Sequence, residues 1–353
     1  MKDSCILHIG MPKTGSSTIQ ANLHAGISDT RAKYANLLED EPSINQHGGM
    51  LCTILHDNPS AYHYVSRFGI HNVDQYSFKV KSRLEAGFKD LTTSIEIISG
   101  EDFFHLPSFS ANGVEQLHSY LRGFFKHIKI FAYVRKPSSL LPSVFQQLVK
   151  FHGLNKLDPF ALYHPYSNLK KYMDVFGAGN IVLRSYSPRI FLGGDIMIDF
   201  TTCVGIRPQK DVTPRLNTSL SKEAISMLFC YNRFCSEIGL GVTCSNPIFE
   251  KLIEFLHPFG GSKLIFSEQL IQSIVGLYSS DYDWIADLMD EEFCQIDAPV
   301  GDVPINHEYD LIECACSFAP RLSTLVGLGE SDWGTDPIAV AKLVGSIIHR
   351  IQS

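Results

Sequence analysis

The chain has 353 residues, a formal net charge of −7 and 44% hydrophobic residues. This ordinary globular composition excludes disorder, collagen and coiled coil as descriptions of the whole chain. The acidic balance argues against a nucleic-acid binder that works through bulk phosphate attraction. The nine cysteines include no C-x-x-C pair, and no apolar run suits a signal peptide or a membrane span. We therefore expect reduced thiols and a cytoplasmic protein.

Short apolar runs alternate with helical spacing over the first 203 residues. Strands are predicted at residues 5–9, 95–99, 128–134 and 180–183. Between them, apolar residues at helical spacing predict helices from Ser16, over 114–124, over 141–149 and near 195–203. Strands that alternate with helices predict an α/β fold, with a mostly parallel sheet covered by helices on both faces.

The pattern becomes helical after about residue 219, with helices predicted over 219–237, 247–257, 267–290 and 337–351. We accordingly predict an α/β core over residues 1–237 and a helical C-terminal extension over 238–353 that packs on it.

Residues 42–90 are polar, aromatic and rich in histidine, without a clean period. We interpret them as a long insertion over the sheet edge, where segments that cover a substrate tend to lie.

The strongest local motif runs from Gly10 to Thr18, with the sequence GMPKTGSST. A strand, a glycine-bearing turn and a helix start place several backbone N–H groups around one point, which suits a phosphate or a sulfate. Gly10 and Gly15 reproduce the glycine spacing of the ATPase loop, but Ser16-Ser17 stands where that loop has Lys-Ser or Lys-Thr. The motif therefore indicates an anion site that differs from an ATP site. The alternative is that Ser16 merely helps to begin a helix.

A second motif follows the predicted strand 128–134. Arg135 comes directly after this strand, and Ser143 follows eight residues later on the next predicted helix. The carboxyl ends of parallel strands line the ligand crevice of open α/β sheets, and a guanidinium with a hydroxyl suits a phosphate monoester. Two phosphate-type sites on one sheet indicate a ligand with two separated anionic ends.

Together the two motifs resemble those of the sulfotransferases that use 3′-phosphoadenosine 5′-phosphosulfate (PAPS). Further stretches, at 181–184, 193–196, 199–200 and 216–221, resemble segments common in bacterial members. The resemblance implies a P-loop-like sulfotransferase fold and a PAPS donor with PAP as product, without a required metal. It assigns the 5′-phosphosulfate to the loop and the 3′-phosphate to Arg135 and Ser143. The loop residues it assigns are Pro12, Lys13, Thr14, Gly15, Ser16, Ser17 and Thr18.

The resemblance also implies a catalytic lysine and a general base. Lys13 is expected to stabilise the charge that grows on the bridging oxygen. A base is expected just past a central strand, where Glu101 is the first choice, His105 the second and Asp102 the third. The alternative for the acidic pair is a solvated turn or a helix cap.

Small-molecule members carry a basic C-terminal loop over the donor, and this sequence lacks it. Lys263 and Arg215 are the possible substitutes. The expected acceptor is a hydroxyl on a glycan or a small metabolite, and neither nucleic acid nor a membrane is an expected partner. The alternatives are a P-loop kinase of small molecules and a non-catalytic PAP-binding module.

Overall fold

The computed structural model describes residues 1–35, 45–207, 219–241, 247–290, 293, 302–327 and 334–352. The chain divides into two compact units. The first comprises residues 1–136, 165–216 and 280–294, and the second comprises 137–164, 217–279 and 295–353.

The first unit is built on a five-stranded sheet whose paired strands are all parallel. The strands are β1 Lys2–Ile9, β2 Ala32–Tyr34, β3 Ile95–Gly100, β4 Phe125–Val134 and β5 Ile181–Ser185. Their order across the sheet is β2-β3-β1-β4-β5. The chain thus moves to one side of β1 for β2 and β3 and to the other side for β4 and β5. Since parallel crossovers are right-handed, this reversal places helices on both faces. The α/β prediction is confirmed.

The described α-helices are α1 Ser16–Ala25, α2 Gly48–Leu55, α3 His63–Arg67, α4 Val73–Lys89, α5 Asp102–Phe109, α6 Gly113–Arg122, α7 Pro137–His152, α8 Pro159–Leu162, α9 Ser167–Phe176, α10 Ile196–Cys203, α11 Lys222–Phe234, α12 Pro247–Leu256, α13 Glu268–Gly276, α14 Ser279–Ala286, α15 Glu308–Leu325 and α16 Pro337–Gln352. Short 3-10 turns cover Pro59–Ala61, Ala178–Asn180, Leu192–Gly194 and Cys235–Ile238.

One face of the sheet packs against α1 and α10. Ile6, Ile97 and Phe131 point from β1, β3 and β4 into a buried cluster that also holds Ile19 of α1 and Phe200 of α10. The alternation of side chains along each strand explains why every second residue joins this cluster. This packing fixes the start of α1 against the carboxyl end of β1.

A buried polar network joins β4, β5 and α10. The Asp199 carboxylate accepts hydrogen bonds from the Tyr133 hydroxyl at 2.6 Å and from Nε of Arg184 at 2.6 Å. It also accepts the backbone N–H of Leu192 at 2.8 Å. Burial alone would raise the pKa of Asp199, but the hydrogen bonds from Arg184 and Tyr133 outweigh it and lower the pKa. The network fixes the chain that follows β5.

The second unit is helical in its described residues. Helix α11 packs against α7, α15 and α16. The ring of Phe145 lies 5.7 Å from that of Phe229 and 5.7 Å from that of Phe266. The Asn232 side chain donates to the carbonyl of Val149 at 2.9 Å. Because α11 belongs to this unit, the predicted boundary at residue 237 falls inside the second unit, and residues 280–294 return to the first.

Residues 42–90 showed no clean period in the sequence, yet their described part is mostly helical. Helices α2, α3 and α4 occupy most of residues 45–90. Val80, Leu84 and Phe88 of α4 are buried at i, i+4 and i+8, which is a helical stripe. The prediction of one helix over 267–290 was wrong, since α13 and α14 divide that stretch.

Among the described residues, no helix combines the length and the apolar character needed to cross a membrane.

We predict that Asp199→Asn destabilises the protein by about 3 kcal/mol, because it leaves the Arg184 guanidinium partly buried without its counter-ion. Denaturant unfolding followed by circular dichroism measures this change.

A matched control is Asp3→Asn, which removes an ion pair to Lys126 whose side chains are 61% and 56% exposed. It should leave the unfolding midpoint unchanged, because exposed pairs contribute little. Equal effects of the two substitutions would contradict the structural role of Asp199.

Candidate active site

Four strand ends of the first unit meet around the Gly10–Ser16 loop. The residues that follow β3, β4 and β5 are Glu101, Arg135 and Tyr186. The N–H of Gly10 donates to the carbonyl of Gly100 at 3.0 Å, which ties the loop to the end of β3. The N–H of Tyr186 donates to the carbonyl of Val134 at 2.8 Å. The central position of β1 therefore places its loop beside the ends of β3 and β4.

The loop turns through two left-handed residues. Lys13 has φ 63° and is the one non-glycine residue with positive φ among the described residues. Gly15 has φ 74° and caps α1, accepting the N–H of Thr18 at 3.0 Å. The Thr14 hydroxyl donates to the carbonyl of Met11 at 2.6 Å. The turn is thus closed by its own hydrogen bonds.

Both loop glycines lie where a side chain would collide. A Cβ on Gly10 would lie 2.5 Å from Oγ of Ser16. A Cβ on Gly15 would lie 2.6 Å from Cδ1 of Ile196 and 3.2 Å from a ring carbon of Tyr186. The spacing of the two glycines therefore reflects close backbone approach at both ends of the loop.

The start of α1 offers polar groups to an anion. The N–H groups of a helix's first turn have no acceptor within the helix, and the dipole favours negative charge there. Oγ of Ser16 is buried and lacks a hydrogen-bond partner among the described residues. Ser17 is exposed, whereas Pro12 and Thr18 are buried. An unsatisfied buried hydroxyl beside these N–H groups is the arrangement expected of an anion cradle.

Arg135 contacts the loop directly. Its Nη1 donates to the carbonyl of Lys13 at 2.6 Å. Its guanidinium carbon lies 5.3 Å from the centroid of the Tyr186 ring, a cation–π distance. The Tyr166 hydroxyl donates to the backbone carbonyl of Arg135 at 2.7 Å. The structure thus brings the two sequence motifs together through Arg135.

Ser143, the other predicted 3′-phosphate residue, lies half-buried on α7 in the second unit. Lys263 is exposed in the same unit, and Arg215 lies outside the described residues. Their assignment to a donor stays a prediction.

Lys13 and Glu101 influence each other electrostatically. Burial lowers the pKa of Lys13, and the charge of Arg135 lowers it further, while Glu101 opposes both. Burial raises the pKa of Glu101 to about 7, with a contribution from Asp102 and an opposing one from Lys13. A carboxyl group with this pKa exchanges its proton near neutral pH, as a general base must.

The other candidate bases are Asp102, the next residue, and His105, about one helical turn further along. Asp102 is half-buried, and its Oδ1 lies 3.4 Å from Nε2 of His63 on α3. His105 is half-buried, and burial lowers its pKa. The start of α2 lies against this acidic pair, since a Cβ on Gly48 would lie 3.0 Å from an Asp102 oxygen. Glu101 is the candidate whose charge raises the pKa of Lys13.

His47 fixes the end of β3. Its backbone N–H donates to the carbonyl of Ser99 at 2.7 Å. Its ring is buried, with Nε2 3.1 Å from the carbonyl of Ala35 and Nδ1 3.1 Å from the N–H of Ser99. Burial lowers its pKa to about 4, so the ring is neutral and serves as donor and acceptor. His47 thereby holds the backbone two residues before Glu101.

Tyr166 and Tyr186 are the site residues that sequence reasoning missed. Tyr186 directly follows β5. The strand was predicted only to residue 183, so the residue after the predicted strand was Arg184 and the rule that indicated Arg135 missed Tyr186. Tyr166 follows no strand, and only its tertiary contact with Arg135 reveals it.

No protein-family model and no curated protein sequence matches the chain. Solved structures that are similar to it include the following two. A sulfotransferase from Alicyclobacillus acidocaldarius is 13% identical, with a TM-score of 0.36, over 67% of this chain and 96% of that one. The sulfotransferase domain from the curacin biosynthetic pathway is 10% identical, with a TM-score of 0.38, over 78% of this chain and 98% of that one. Both are named for the class whose motifs the sequence resembles.

Proposed function

We propose that the chain is a sulfotransferase that moves the sulfuryl group from PAPS to a hydroxyl of a carbohydrate or a small metabolite. The observation that carries this proposal is the meeting of Lys13, Glu101 and Arg135 at one anion cradle. A lysine, a carboxyl group with a pKa near neutrality and a guanidinium are the charges that this transfer requires.

The cradle fits the phosphosulfate end of the donor. The first-turn N–H groups of α1 and the unsatisfied Oγ of Ser16 are suited to bind its 5′-phosphate. A side chain at Gly10 would close this space, since its Cβ would lie 2.5 Å from that oxygen. The hydroxyl of Thr14 already donates to Met11, so it supports the loop and is not offered as a donor to the ligand.

Arg135 is suited to the 3′-phosphate. It follows β4, the strand next to β1. Its guanidinium donates to the carbonyl of Lys13 in the loop and lies against the ring of Tyr186. A guanidinium matches the geometry of a phosphate through paired N–H donors. Arg135 and the cradle together would recognise both anionic ends of one nucleotide.

The transfer follows from these positions. The oxygen of the acceptor hydroxyl forms the new bond to sulfur, and Glu101 accepts the proton of that hydroxyl as the bond forms. The bond between sulfur and the bridging oxygen breaks at the same time, and that oxygen remains on PAP. Lys13 stabilises the negative charge that develops there, by analogy with phosphoryl transfer.

We predict that Lys13→Ala lowers turnover at least about 100-fold, because it removes the charge that faces the leaving oxygen. Transfer of radiolabelled sulfate from PAPS to a panel of hydroxyl acceptors measures it. Lys126→Ala, at the opposite end of β4, should leave turnover unchanged, and a Lys13→Ala rate within threefold of wild type would remove Lys13 from this role.

Arg135→Ala should weaken PAP binding by about 2–3 kcal/mol, the value of a lost charge-assisted hydrogen bond. Calorimetric titration with PAP and, in parallel, with ATP and magnesium tests both this contact and the choice of donor. Tighter binding of ATP than of PAP would favour the kinase alternative.

Glu101→Gln should abolish transfer and leave PAP binding intact, because it removes only the proton acceptor. In the wild type, turnover should rise from about pH 6 to about pH 8, as Glu101 ionises with its pKa of about 7. Loss of transfer in His105→Ala or Asp102→Asn, with Glu101→Gln active, would move the base to that residue.

Glu101→Gln should also raise the free energy of unfolding above pH 7. The folded state holds the Glu101 proton more tightly than the unfolded state, so stability is lost as pH rises through the raised pKa. Glutamine removes that loss. Unfolding midpoints at pH 5 and pH 8 should therefore differ less in Glu101→Gln than in the wild type, and equal differences would contradict the raised pKa.

A further inference from the structure

We propose that Arg135 also positions Lys13, and that Tyr166 is the positioning residue that holds Arg135 for this task. The inference rests on the proposed function and deepens it, because it couples the residue at the donor's 3′ end to the lysine at its reacting end.

Lys13 has a backbone conformation that needs support. Its φ of 63° lies in the left-handed region, which residues with a Cβ seldom adopt. The hydrogen bond from Nη1 of Arg135 ends on the carbonyl of Lys13 itself, at 2.6 Å. This bond therefore acts on the peptide whose orientation directs the Lys13 side chain.

The Arg135 guanidinium makes two contacts at the loop. Its Nη1 donates to the carbonyl of Lys13. The ring of Tyr186 lies against the same guanidinium at 5.3 Å, and Tyr186 also lies beside Gly15 at the far end of the loop. The guanidinium and this ring thus support the turn at both of its left-handed residues.

Tyr166 acts on Arg135 without reaching the ligand. Its side chain is fully buried, and its hydroxyl donates to the carbonyl of Arg135 at 2.7 Å. The ring packs edge-on against Tyr282 at 5.2 Å and against Phe293 at 5.9 Å. A side chain with no exposed surface does not contact a bound nucleotide, so an effect of its hydroxyl on nucleotide binding is indirect, and its hydrogen bond to Arg135 is the route that we propose.

Asp281 fixes the backbone of Tyr166. Its buried carboxylate accepts the N–H of Tyr166 at 2.7 Å and that of Ser167 at 2.6 Å, at the start of α9. A continuous series of hydrogen bonds runs from Asp281 through Tyr166 and Arg135 to Lys13. Every member lies in the first unit.

The decisive variant is Tyr166→Phe, which removes one hydroxyl and keeps the ring. Its matched control is Tyr172→Phe on α9, the helix that begins directly after Tyr166, since the buried Tyr172 hydroxyl also donates to a backbone carbonyl, that of Phe103. Calorimetric titration with PAP should show about fivefold weaker binding for Tyr166→Phe, the equivalent of one hydrogen bond. Tyr172→Phe should bind within twofold of wild type. Equal affinities in Tyr166→Phe and the control would overturn the role of Tyr166.

A second titration separates the two tasks of Arg135. Adenosine 5′-phosphate lacks the 3′-phosphate, so an Arg135 that only binds that group would not affect its affinity. We expect Arg135→Ala to weaken this ligand at least threefold as well. Weaker binding of PAP with unchanged binding of adenosine 5′-phosphate would overturn the positioning role.

A third measurement needs no nucleotide. The rate at which acetic anhydride acetylates Lys13 in the ligand-free protein, followed by mass spectrometry, should change at least threefold in Tyr166→Phe and stay constant in Tyr172→Phe. If the wild type bound no PAP and this rate still changed, the proposed donor would be wrong and the positioning of Lys13 would stand. An unchanged rate with normal PAP binding would overturn only the positioning.

Discussion

The hydrogen bond from Arg135 to the carbonyl of Lys13 joins two strand ends that are 122 residues apart in sequence. It forms because β4 pairs with β1, which puts the residue after one strand beside the loop after the other. The pairing of β1 with β3 brings Glu101 to the opposite side of the same loop. The central place of β1 in the sheet is thus what allows one lysine to lie between an acid and a guanidinium.

Burial and neighbouring charges both affect the ionisation of Lys13 and Glu101 at this loop. Burial lowers the pKa of Lys13 and raises that of Glu101, so both groups lose part of their preference for the charged state. Arg135 adds a second positive charge beside Lys13, and Asp102 adds a second negative charge beside Glu101. In a chain of net charge −7, the positive charge at this loop is therefore a local feature and not part of the overall field.

The sequence placed Lys13, Glu101 and Arg135 at one edge of the sheet, because each comes one to four residues after a predicted strand and the carboxyl ends of parallel strands share an edge. The roles of Lys13 and Glu101 came from the family resemblance and stay predictions. His47, Tyr166 and Asp281 act through backbone groups distant in sequence, so no local pattern marks them. The helices of residues 45–90 are a different case, since α2 and α3 are short, whereas the buried stripe of α4 was present in the sequence and was overlooked.

The hydrogen bonds of Asp281 have a consequence for the order in which the site forms during synthesis. The loop that holds Lys13 leaves the ribosome first, yet the residue that fixes Tyr166 follows Tyr166 by 115 positions. The side chain of Ser185, next to Tyr186, is likewise bonded to Asp290. A nascent chain that ends at residue 237 would contain every strand of the sheet and lack both of these supports. The five described strands can therefore pair early in translation, while the edge of the sheet that carries Lys13 acquires its final geometry only when Asp281 and Asp290 have emerged.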